Sequence, residues 1–316
     1  MNTLPGSAFQ LLQSVFVVLA APLLMGWLNQ CRAWLQNRSA PPLLLPYYTL
    51  AKLFHKDAVI ARDASPLFRI TPYVLFGCMW LAAGIVPVLA TGLPFAPAAD
   101  IVALVGVFAL ARVFSALAAM DIGTSFGGLG ARREMLVGFL AEPAMLMTLF
   151  TAAFISGSTQ LATIVDTLGH REFAIYPSLA FAAVAFLMVL LAENARIPID
   201  NPTTHLELTM VHEAMILEYS ARHLALIEWA VAIKLFAYMT IGFAFFVPWG
   251  IAEAGNWAVL PVAFAALVAK LAVAGAGLAL LETVLAKLRL FLAPEFLSTA
   301  FLLGVLGMLI HFLVSG

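Results

Sequence analysis

Runs of about twenty apolar residues, long enough at ~1.5 Å per residue to cross roughly 30 Å of hydrocarbon, recur along this chain. They fall near residues 9–28, 70–91, 101–120, 135–156, 176–195, 224–249, 257–281 and 296–314. No other feature constrains the fold as strongly, because a bilayer offers the backbone no hydrogen-bond partners and admits only helices or closed barrels. The runs are continuous and lack the two-residue alternation of a barrel strand, so helices are expected. With 63% hydrophobic and only 10% charged residues, the composition does not describe a soluble core inside a polar shell. The expected fold is therefore all-α, a polytopic integral membrane protein with about eight transmembrane helices in a single membrane domain over residues 1–316.

The cations between the runs give an orientation. Loops one, three, five and seven, at residues 29–69, 121–134, 196–223 and 282–295, hold Arg32, Arg38, Lys52, Lys56, Arg62, Arg69, Arg132, Arg133, Arg196, Arg222, Lys287 and Arg289. The even-numbered loops hold Arg171 alone. By the positive-inside rule the odd loops are cytoplasmic and both termini lie outside, as expected for a multi-pass membrane protein. The first ten residues carry no positive charge, so the first run reads as a retained span rather than a cleaved signal. Arg112, Lys234 and Lys270 fall inside spans. A net charge of -1 argues against nucleic acid and leaves the lipid bilayer as the first partner. Cys31 and Cys78 stand alone, without CxxC or His spacing, so cysteines here cannot ligate an iron–sulfur cluster or structural zinc, and no cofactor is expected in this chain.

Loop one contains PPLLLPYYTLAKLFHKD. After Pro46, Leu50, Leu53 and Phe54 recur at helical spacing among Lys52, Lys56 and Asp57, which predicts a short amphipathic helix along the membrane surface. Loop three, DIGTSFGGLGARRE, has Gly123, Gly127, Gly128 and Gly130, and suits close packing against a partner subunit better than phosphate binding. Glu142 precedes Pro143 inside the fourth span, an acid beside a kink and a candidate proton site.

The stretch from Leu191 to Trp229 carries Glu193, Asp200, Glu207, Glu213, Glu218 and Glu228, six of seventeen acidic residues. Carboxylates beside and inside apolar helices are expensive and point to ion movement or docking. Pro198 and Pro202 end the fifth helix, and Thr204-His205-Leu206-Glu207 matches a capping box that would start the next. On that helix Glu207 and Glu218 would share a face and Glu218 would pair with Arg222. His212-Glu213 begins like HExxH, but Ile216 occupies the last position, so a metalloprotease site fails.

These residues carry a resemblance. Ala192-Glu193, Arg196-x-Pro198-x-Asp200-x-Pro202, Glu207-Leu208 and Glu218-Tyr219-Ser220 stand in the order of the loop between helices five and six of the NADH dehydrogenase subunit 1 family of respiratory complex I. IPIDNPTTHLELTMVHEAMILEYS resembles more narrowly the branch found in membrane-bound group 4 NiFe hydrogenases, the formate hydrogenlyase type among them. KLFHKD and GARREMLVGFLAEP extend the similarity more weakly, and the complex I GPNR-type motif is replaced by NRSAPPLLLPYY. The resemblance implies a membrane anchor and ion-coupling subunit without its own redox centre. It implies partners that carry the NiFe centre and iron–sulfur clusters, namely a hydrogenase large subunit and an iron–sulfur small subunit, and antiporter-like membrane subunits beside it. It places Glu142, Glu193, Glu207 and Glu218, and less directly Glu213 and Glu228, on a proton path, with Lys234 and Lys270 as counter-charges or relay members. Arg132, Arg133, Arg196, Asp200 and Arg222 fall to subunit docking.

Other readings stay open on the sequence. The chain could be the quinone-site subunit of a complex I-type dehydrogenase, or a purely structural anchor whose acids only solvate a docking face. A self-contained secondary transporter would need a midplane site at broken helices, and no repeat between the halves supports one.

Overall fold

The computed structural model describes residues 3–61, 63–92, 94–170, 177–200, 211–252, 257–286 and 292–315. Among the described residues eleven α-helices follow one another: α1 (Thr3–Leu35), α2 (Leu45–Phe54), α3 (Pro66–Ile85), α4 (Ile101–Asp121), α5 (Ser125–Ser156), α6 (Leu161–His170), α7 (Pro177–Glu193), α8 (His212–Ile216), α9 (Ala221–Phe246), α10 (Leu260–Val284) and α11 (Ala293–Ser315). No strand occurs among the described residues beyond two isolated bridges. α1, α3, α4, α5, α9, α10 and α11 are long and apolar enough to cross a membrane. Those are seven helices among the described residues, against the eight expected; α7, where the fifth apolar run was expected to cross, is a shorter apolar helix of 17 residues, about 26 Å long. The protein is a polytopic helical membrane protein.

Backbone bonds sort the connections onto two ends. Ser65 N donates to Asp121 Oδ2 at 2.9 Å, and Ser220 Oγ accepts from Val59 N (2.9 Å) and donates to Val59 O (2.7 Å), so loops one, three and five meet. At the other end Thr91 N donates to Ala252 O, and Ile101 N to Thr159 O, so loops two, four and six meet. Most cations therefore share one end, called here the basic end.

α9 lies at the centre, packed against α1, α2, α3 and α7, with Phe236, Tyr238 and Phe245 almost fully buried. Of its most apolar window 67% is buried, against 22% for α10 and α11, which turn most of their surface outward. α11 packs on α5 and α7, while α10 leans chiefly on α1. There Trp27 Nε1 donates to Ala272 O at 3.0 Å, and Trp27 fills the space left by Gly275.

The amphipathic segment of loop one forms α2, with Leu50 buried against the bundle and Lys52 exposed. Trp229 of α9 stands between α2 and α3, its ring 6.3 Å from Phe54 and 5.3 Å from Phe76, with Nε1 donating to Val18 O of α1 at 2.8 Å.

Two expectations change. The glycines expected in loop three lie mostly inside α5, which begins at Ser125 because Thr124 caps it by accepting from Gly127 N. Gly127 and Gly130 pack within this chain: an added Cβ would lie 2.5 Å from Ala119 O and 2.9 Å from Val211 O respectively. α5 then runs unbroken through Pro143. The helix expected through Glu218 to Arg222 is interrupted, since α8 ends at Ile216 and α9 starts at Ala221. Tyr219 accounts for the break: its ring stacks on Phe68 at 3.9 Å and its hydroxyl donates to Phe68 O, holding the backbone against the first turn of α3. Burial pushes the Tyr219 phenol well above its usual range, which keeps that donor proton in place.

A buried ionic cluster as the candidate functional site

α7 ends in an irregular turn that fixes Glu193. Ala195 adopts a left-handed φ of 48°, with Ala195 N bonded to Ala192 O and Arg196 N to Leu191 O, the paired bonds of a Schellman closure. Glu193 is thereby left in the last turn, facing inward with its side chain 1% exposed. A carboxylate so placed is tolerated only with partners.

Two other helices, α4 and α9, supply them. Arg112 of α4 bonds Glu193 Oε1 through Nη2 and Glu142 of α5 through Nη1, and its Nε lies 3.6 Å from Glu134. Lys234 of α9 sits 3.1 Å from Glu193 Oε2 and donates to the Glu193 carbonyl. Tyr238, one turn further along α9, is within electrostatic reach of Glu193, and its hydroxyl lies 3.4 Å from Met145 Sδ. The guanidinium fits because position 138 has no side chain, since a Cβ there would come within 2.5 Å of Arg112 Cδ and Nη1. Gly138→Ala is expected to displace Arg112 and destabilise the protein by about 1–3 kcal/mol, the usual range for overpacking. Thermal melting of the purified variant checks this, and a parent-like melt would contradict it.

Beside the cluster lies a cavity of about 50 Å³ lined by Arg112, Ser115, Glu134, His212 and Lys234 together with apolar residues of α3, α4, α8 and α9. That is room for a few water molecules.

A second ionic group holds the basic end. Glu282 of α10 is paired with Arg32 of α1 and, at 3.2 Å, with Arg196 of loop five, whose Nη2 also lies 3.2 Å from Met25 Sδ. Burial draws the Arg196 pKa down and the Glu282 carboxylate opposes this, so the pair stays ionic.

The structure thus brings Glu142, Glu193 and Lys234 together. Glu213 is half-buried on α8, and Glu228 is exposed on α9 within electrostatic reach of Glu213 and His212. Glu218 is exposed in the break before α9. Lys270 stands apart from the carboxylates: its ammonium donates to Val247 O (2.6 Å) and Trp249 O near the other end. Arg132 and Arg222 are exposed and Arg133 half-buried at the basic end, whereas Arg196 and Asp200 point inward. Asp200 Oδ2 accepts from Val211 N and His212 N, which fixes the start of α8. Glu207 and its capping box lie outside the described residues. Arg112, Glu134, Arg32 and Glu282 were not among the sequence candidates. Arg112 carried the one usable signal, a cation inside a span with no acid at helical spacing on its own helix.

Fold and cluster together define a multi-pass membrane protein that keeps ion-paired carboxylates inside its helix bundle. The family profile described as NADH dehydrogenase matches residues 8–313, and the chain belongs to that family. It is 32% identical to formate hydrogenlyase subunit 4 of Escherichia coli K12 over 287 residues, covering 91% of this chain and 92% of that one. With hydrogenase-4 component C of the same organism it shares 33% identity over 246 residues, covering 78% and 76% of the two chains. Its fold matches a chain in the structure of the membrane-bound sulfane sulfur reductase, an archaeal respiratory membrane complex. The TM-score is 0.81, over 97% of this chain and 99% of that one at 18% identity.

Proposed function

We propose that this protein is the membrane anchor and ion-coupling subunit of a membrane-bound NiFe hydrogenase complex of the formate hydrogenlyase type. The observation that carries the reading is Glu193, buried among helices and held by Arg112 and Lys234 from two other helices. Arg112 ties Glu193 to Glu142 and Glu134, so the field of a charge change in a docked redox arm acts on the group as one network. The likeness in sequence to a formate hydrogenlyase subunit and a hydrogenase component supports the assignment of partners. These are a hydrogenase large subunit, an iron–sulfur small subunit and antiporter-like membrane subunits. We place the NiFe centre and iron–sulfur clusters on those partners, in keeping with the likeness to hydrogenase components.

The arm docks at the basic end, where Arg132, Arg133 and Arg222 present positive charge and Glu213 and Glu218 negative charge. Arg196 and Asp200 act from inside, shaping loop five. By the positive-inside rule that end faces the cytoplasm and both termini lie outside, in a prokaryotic inner membrane. Trp229 and its aromatic neighbours occupy the space between α2, α1 and α3, which favours this reading over a quinone-site subunit entered beside the amphipathic helix.

Sealed vesicles bearing the whole complex and driven by reduced methyl viologen test the coupling. Glu193→Gln and Glu142→Gln are expected to keep hydrogen evolution while losing most of the associated proton or sodium gradient. An unchanged gradient in assembled variants would leave the chain a structural anchor.

A further inference from the structure

Loop five places one titratable side chain between the exposed carboxylates and the buried cluster. His212 opens α8, where Asp200 holds its backbone N–H. Its Nε2 is buried and has no hydrogen-bond partner among the described residues. The same side chain lines the 50 Å³ cavity with Arg112, Glu134 and Lys234. A buried ring nitrogen without a partner costs free energy unless water or a proton acceptor serves it, and this cavity is large enough for both roles.

The charges around His212 are asymmetric. On the cavity side, Arg112 of α4 and Lys234 of α9 face Glu134, Glu142 and Glu193, so three carboxylates meet two cations and the cluster carries one excess negative charge. On the outer side stand Glu213 of α8 itself and Glu228 of α9, both in reach of solvent. Asp200 accepts from the His212 backbone N–H, and α3 contributes Leu75 and Met79, which are apolar. An imidazole offers two ring nitrogens, one able to accept a proton while the other gives one up, so a ring placed between two sets of carboxylates has the chemistry of a relay.

We infer that His212 is the proton-transfer residue linking the outer carboxylates of loop five to the buried cluster, through the cavity that Glu134 and Arg112 share with it. The imidazolium gives its Nε2 proton, directly or through one cavity water, to the Glu134 carboxylate. Neutral imidazole and a carboxylic acid result, and the cluster's excess charge is removed. Neutral Glu134 then releases its hold on Arg112 Nε, and the guanidinium is left to Glu142 and Glu193. The return step reverses each transfer. This rests on the coupling reading above.

The test uses the assembled complex in sealed vesicles, with ion gradient and hydrogen evolution followed between about pH 5.5 and 8.5. His212→Gln keeps size and polarity without titrating, and is expected to lower gradient formation at least about tenfold, the lower scale of a lost proton-transfer group. Hydrogen evolution should be retained. In His212→Ala, imidazole added to the medium should restore a large part of the gradient, a rescue that a merely structural histidine would not give. Parent-like gradients in both variants, with Glu193→Gln still uncoupled, would overturn the role of His212 and leave the coupling reading intact. A loss in His212→Ala that imidazole does not relieve would also overturn it. A parent-like gradient in Glu193→Gln itself would remove the coupling reading, and the inference with it.

Discussion

Replacing Arg112 by leucine is expected to destabilise the folded protein by about 3–5 kcal/mol, because removing one partner of a buried ion pair leaves the other uncompensated. Glu193 would keep Lys234, which also lies within electrostatic reach of Glu142, but Glu142 and Glu134 would each lose the guanidinium that pairs with them. The guanidinium also ties α4 to α5 and α7, so its loss should loosen three helices at once. Thermal melting in detergent measures the loss, and a second substitution identifies its cause. If the cost is an unpaired buried charge, Arg112→Leu with Glu193→Gln should melt at a higher temperature than Arg112→Leu alone, although ion coupling stays lost. A double variant no more stable than the single one would place the cost in packing instead of charge.

The spans were legible because hydrocarbon thickness sets a length that any apolar run either meets or misses. What lies inside those spans was less so. In water an amphipathic stripe marks the buried face of a helix, but lipid is as apolar as a protein core, and the stripe disappears. α10 and α11 are apolar all round, and nothing in their sequences says that Glu282 faces Arg32 and Arg196. Those pairings join residues 250 and 86 positions apart and leave no local spacing to read. Glu142, Glu193 and Lys234 were recognisable singly, since each is a charge in an expensive place. Their hub, Arg112, was visible only as an unexplained cation, because its partners sit on α5 and α7. Local rules misled at Glu218 and Arg222, where a spacing of four suggested one helix. Stacking of Tyr219 on Phe68, 151 residues away, won over that propensity.

The second ionic group makes a different prediction, because its work is mechanical. α10 buries little of its surface and leans on α1 through Trp27, Gly275 and the Glu282–Arg32 pair. Glu282→Ala would leave two arginines facing each other. Arg32, at 16% side-chain exposure, can turn toward solvent, but Arg196 at 6% cannot. The cost should therefore fall near the lower end of the range for a broken buried pair, about 3 kcal/mol. It should be spent on local opening of α10 and loop five rather than on the central cluster, which uses none of these residues. The protein's two cysteines report the difference without added probes. Cys31 is buried one position before Arg32, and Cys78 is buried on α3. In Glu282→Ala, maleimide labelling of Cys31 should quicken severalfold while Cys78 stays protected, and the ion gradient should fall less than in Glu193→Gln. Equal exposure of both cysteines would mean that Glu282 holds the whole bundle together, and an unreactive Cys31 would mean that packing on Trp27 suffices to keep α10 in place.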